Sequence, residues 1–102
     1  MKGFEKDLNE LMQFPKEGIF STVLAKGDSM NCTLMCLSAG TDIDEHTSTK
    51  EGIVQVIKGK GTFNLQGEDI EMKEGKFIFM PKDAEHSLKA EEDTAILLIL
   101  TE

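Results

Sequence analysis

The stretch GKFIFMPKDAEHSLKA, residues 75–90, decides the fold. An apolar run at 77–80 stops at Pro81, and a second short run begins at His86. Both are too short for ordinary helices, and turn formers bound them. They read as two strands. The same pattern continues upstream. The β-branched run 53–57 stops at the turn 58–61, strand 62–65 stops at 66–69, and strand 70–72 stops at 73–76. Further back lie strand 18–25, the turn 26–29, strand 30–39 and a polar stretch from Gly40 through Asp44. Downstream, residues 94–101 close the chain. Turn signals at this spacing argue for an antiparallel sandwich or barrel, not alternating β and α units. One helical signal stands outside the pattern: FEKDLNELM, residues 4–12, carries Phe4, Leu8, Leu11 and Met12 on one helical face.

The chain has 102 residues, so the expected organisation is one all-β domain over 1–102. Residues 1–17 form a helix and lead-in, and 18–102 form the barrel. With 39% hydrophobic and 29% charged residues the composition is globular. A net charge of -8, with lysines scattered among acids, disfavours nucleic acid as a partner. No apolar run approaches the ~20 residues that span a bilayer, so no membrane partner is expected. The N-terminal sequence MKGFEKDLNE lacks an apolar signal region, and a cytoplasmic location is the expectation. The two cysteines, Cys32 and Cys36, are four apart on a strand, ~13 Å between Cα atoms. That is too far for a disulfide, and free thiols fit a reducing compartment.

The chemistry concentrates in two segments, which hold the only two histidines. One is GTDIDEHTSTKEGIVQVIKG, residues 40–59, and the other is residues 75–90. Together they resemble the cupin superfamily. Gly40, His46 and Gly59 fall on its first motif. Gly75, Pro81 and His86 fall on its second, with Asp83 where glycine is common. The resemblance implies an antiparallel cupin β-barrel, a double-stranded β-helix of jelly-roll type, with a pocket on its inner face and frequent homodimers. It also implies a divalent transition metal as cofactor, held by three histidines and a glutamate. This sequence departs from that ligand set. Ser48 stands at the second His position, Gly52 at the Glu position counted back from Gly59, and Ala90 at the terminal Asn. Glu51, one residue early, serves as a ligand only if the strand bulges. His46 and His86 remain as metal ligands.

Alternation along the strands places other residues. Met30, Cys32, Leu34 and Cys36 share an apolar face, expected to point into the barrel and to bring Cys32 and Cys36 near the histidines. A buried cysteine is more often a small inert hydrophobe. If His46 points inward, unbroken alternation turns Asp44, Ser48 and Gly52 inward too. Gly52 then leaves room for a ligand or a water. Phe63, Phe77 and Phe79 are open to lining the pocket but read as core, and Met72 and Met80 offer it an adaptable lining under the same reading. No phosphate-binding glycine loop precedes a helix, so no nucleotide cofactor is expected.

Two functions follow. The first is a small-molecule-binding barrel with a pocket around His46 and His86, which either hydrogen-bond in a metal-free pocket or hold a weak or adapted divalent metal. The second is a metal-dependent enzyme of dioxygenase, isomerase or decarboxylase type acting on a small organic substrate. A homodimer by strand pairing, through residues 18–25, is expected with either.

Overall fold

Alternating apolar residues and frequent turns fold this chain into two antiparallel sheets that share one core. The computed structural model describes residues 2–102. Its elements are α1 (Leu8–Leu11), β1 (Ile19–Lys26), β2 (Met30–Leu37), β3 (Asp42–His46), β4 (Gly52–Lys58), β5 (Lys60–Leu65), β6 (Glu68–Lys73), β7 (Phe77–Met80), β8 (His86–Ala90) and β9 (Thr94–Thr101). The five-stranded sheet runs β1-β2-β9-β4-β7 and the four-stranded sheet β3-β8-β5-β6. The core between them takes Leu37, Val54, Val56, Ile78, Met80 and Ile96 from the first sheet, and Phe63, Met72, Leu88 and Ala90 from the second. This is the expected cupin-type all-β architecture. Among the described residues no helix is long and apolar enough to cross a membrane.

Three local outcomes differ from the sequence reading. The helix expected over 4–12 is a single turn. Asp7 caps it, its Oδ1 accepting from the Asn9 N–H at 2.9 Å, and Met12 already has extended backbone. One turn of helix is costly to nucleate. What secures this segment is packing: Leu11, Met12 and Phe14 lie on the outer face of the five-stranded sheet, over Leu34, Cys36 and Ala95. Phe4 stays exposed.

The second difference follows from that cover. Cys32, Leu34 and Cys36 do not point into the barrel. Leu34 and Cys36 are 1% exposed beneath the N-terminal segment, while Met35 and Leu37 face the core. A strand buried on both faces carries apolar residues at both parities, so alternation cannot say which face is inside. Phe77 and Phe79 point outward as well, 61% and 49% exposed, whereas Phe63 is core as expected.

The third difference is β3. The polar run from Gly40 through Asp44 contains a strand, because the edge of the four-stranded sheet needs only one buried face. Ile43 pairs with Leu88, but His46 pairs with His86. Regular antiparallel pairing would put residue 45 opposite His86. One extra residue on β3 therefore makes a bulge, and bulges re-aim the side chains beyond them. Asp83 has φ +66, a left-handed backbone that aspartate tolerates better than most residues. This explains why glycine is common at that motif position.

Candidate functional site

The bulge in β3 determines where the site can form. Without it, Ile43 and His46 would lie on opposite faces. With it, both line a pocket between the sheets, together with His86, Phe63, Met35 and Met80. The walls are completed by Val54, Leu88, Ile96 and Leu98, and no carboxylate is among the lining residues. The pocket volume is about 60 Å³. That accommodates a water or two, well below the roughly 300 Å³ and upward of sites for drug-sized ligands.

The two imidazoles sit side by side, with ring centroids 4.1 Å apart and planes inclined at 60°. His46 is exposed and His86 is 8% exposed, so the pair spans the passage from solvent to pocket. The His86 ring also lies parallel to Phe63, centroids 5.9 Å apart. Each ring is held from behind by the backbone two residues earlier: Nδ1 of His46 is 2.8 Å from the Asp44 carbonyl oxygen, and Nδ1 of His86 is 3.0 Å from that of Ala84. A carbonyl can only accept, so Nδ1–H donates in both rings. The neutral tautomer then carries its lone pair on Nε2. Neither Nε2 has a protein hydrogen-bond partner among the described residues, and neither is a fully buried orphan. Two lone pairs are thus available at the polar end of an apolar cavity.

The remaining sequence candidates lie elsewhere. Ser48 does not line the pocket; its Oγ accepts from the Lys50 N–H at 3.1 Å, and its carbonyl accepts from the Asp83 N–H at 2.8 Å. The second bond ties the two motif loops together, and β3 ends at His46, so strand alternation does not extend to Ser48 in the loop that follows. Cys32 and Cys36 are on the far side of β2. Burial pushes the Cys32 thiol up, which disfavours a reactive thiolate. Glu51 borders an outer surface groove with Ile53, Phe79 and Ile99. Gly52 does face inward, but its space is taken. A Cβ there would stand 2.8 Å from Cδ2 of Leu100 and 2.9 Å from Cε of Met80. Two side chains from neighbouring strands fill the volume that the sequence suggested was open.

Of the lining residues that matter chemically, Phe63 and Met80 were among those the sequence offered, and Met35 was missed because the opposite face of β2 was expected to point inward.

The divalent metal implied by the resemblance does not fit this donor set. Among the described residues, no three His, Cys, Asp or Glu side chains come together. Two imidazoles without a carboxylate fall short of the three or four protein ligands that such ions take.

Comparison with known proteins agrees with the architecture. Residues 33–101 match the family described as Cupin domain. An uncharacterized protein of Aquifex aeolicus (strain VF5) is 29% identical over 98 residues, covering 93% of this chain and 80% of that protein. The crystal structure of the conserved SPY1581 protein of unknown function from Streptococcus pyogenes superposes with a TM-score of 0.86 at 24% identity, over 100% of this chain and 90% of that one. Salicylate 1,2-dioxygenase from Pseudoaminobacter salicylatoxidans, in its G106A form, gives a TM-score of 0.76 at 21% identity, over 91% of this chain but 29% of the dioxygenase. A dioxygenase is therefore among the proteins that share this fold.

Proposed function

This chain belongs to the cupin domain family, and from that membership and the chemistry of its pocket we propose that it is a small-molecule-binding barrel whose ligand enters at His46 and His86. The observation that carries this reading is the imidazole pair with both Nδ1 atoms tied to backbone carbonyls. Neutral imidazoles so held accept hydrogen bonds at Nε2. The ligand class they favour is a compact, mostly apolar molecule presenting a hydroxyl or similar donor to the pair. Met35 and Met80 supply the adaptable walls that such a molecule displaces on entry.

The test is a panel of small phenols, enols and hydroxy acids screened by NMR against chelator-treated protein. A true ligand shifts the side-chain signals of both His46 and His86. In a His46→Ala, His86→Ala double variant its affinity drops about 30-fold, since two hydrogen bonds at about 1 kcal/mol each are lost. Equal binding to the double variant would sink the proposal.

The same two lone pairs favour a second reading, a metal-dependent enzyme of dioxygenase, isomerase or decarboxylase type. The absence of a carboxylate from the pocket lining weighs against it.

The proposal extends to a homodimer. β1 is an edge strand that exposes Ile19, Phe20 and Val23, and an uncovered apolar edge favours pairing with a second copy. Sedimentation velocity is expected to show a dimer that Val23→Lys dissociates. Monomer alone at every concentration refutes it.

A further inference from the structure

The pocket lacks hard oxygen donors yet holds four softer ones. His46, His86, Met35 and Met80 line the same small space. Met80 has a particular place in it. It pairs directly with Gly52, and its terminal methyl lies 2.9 Å from where a Cβ at Gly52 would be. A thioether thus occupies the volume that a carboxylate at position 52 would need. Exchanging a carboxylate for a thioether exchanges preference as well: oxygen ligands suit hard divalent ions, whereas thioethers with imidazoles suit Cu(I).

We propose that this pocket is a Cu(I) site, ligated by Nε2 of His46 and His86 and by the thioether of Met80, with Met35 as the second sulfur. Three further features agree. The Nδ1–H to carbonyl bonds on both rings are the outer contacts that orient histidine ligands and raise their basicity. The volume of about 60 Å³ takes an ion without displacing the methionine walls. Asp42, Asp44 and Glu45 are exposed on β3, the strand that carries His46, and their charge raises the local concentration of cations. The inference rests on the reading of the pocket as the functional end of the barrel, but on no particular organic ligand.

The test uses the full chain carrying Cys32→Ser, which removes the partly accessible thiol as a competing copper ligand. Cu(I) is titrated without oxygen against bicinchoninate, and the complex is examined by X-ray absorption. One Cu(I) per chain with both nitrogen and sulfur scatterers is expected. A Met35→Leu, Met80→Leu double variant conserves volume and should stay folded, which urea unfolding verifies. Its affinity is expected to fall by about 100-fold or more, beyond the effect of losing an outer contact, and the sulfur signal should vanish. Nitrogen-only scattering, undiminished affinity in the methionine variant, or no copper retained by the folded Cys32→Ser chain each overturns the proposal. Failure here, with phenol or hydroxy-acid binding still shifting the histidine signals, would leave the binding-barrel reading standing. Copper binding by a barrel that takes none of those compounds would do the reverse.

Discussion

Phe63→Ala is expected to lower the unfolding free energy by about 3–5 kcal/mol. Phe63 is the largest of the fully buried side chains and packs in the core shared by both sheets. It stands on β5 between Leu88 of β8 and Ile70 of β6, so its ring holds three strands against the opposite sheet. Removing it leaves a cavity that a rigid sheet cannot close. Domains of this size have total stabilities of about 5–15 kcal/mol, so the loss is about a fifth of the whole or more. The consequence also reaches the site. The ring lies parallel to His86 and lines the same pocket, so the new void joins the existing one. Urea unfolding measures the first effect. For the second, binding of benzene to the variant and not to the parent is expected, because an apolar cavity of sufficient size stays dry and takes such guests. A destabilisation under 1 kcal/mol would show that the sheets collapse onto the gap, and the packing account would be wrong.

Gly52→Glu is expected to be about as damaging for a different reason. The new Cβ alone meets Leu100, Met80 and the Ile99 carbonyl oxygen, at 2.8, 2.9 and 3.3 Å. The first two are ends of flexible side chains and can yield, but overpacking of this kind costs about 1–3 kcal/mol. The carboxylate then adds a buried charge with no partner, worth several kcal/mol more. Combining it with Met80→Ala should reverse much of this. The truncation clears space for the carboxylate, and the carboxylate becomes a third ligand beside His46 and His86. Stoichiometric Zn²⁺ or Mn²⁺ binding is expected in the double variant. At a metal concentration 100-fold above the dissociation constant, the stabilisation is about 2.7 kcal/mol. Thermal unfolding with and without metal reads this directly. No metal-dependent shift in a folded double variant would mean that position 52 does not reach the histidines.

Much of the fold was legible because its signals are local. Phe77–Met80 and His86–Ala90 have the bounds that apolar runs and Pro81 suggest, and Thr94–Thr101 likewise. β3 was not legible, because a polar edge strand lacks the alternation that marks a half-buried one. The helix at the N-terminus was overread for the complementary reason. Its apolar spacing serves contact with the outer sheet face through Leu11 and Met12 rather than a longer helix.

The site divides the same way. The positions of His46 and His86 in their motifs, and the absence of carboxylate and third histidine at the matching positions, are properties of the sequence alone. They depend only on spacing along the chain. Three things were left to the tertiary structure. The face of β2 that looks inward was undecidable from alternation, since the N-terminal segment buries the other. The aim of His46 depends on one extra residue in β3, visible only in the register against β8. The fate of the space at Gly52 depends on Met80 and Leu100, which other strands bring there. Each is a relation between residues far apart in sequence, set by sheet register and close packing, and no local pattern encodes it.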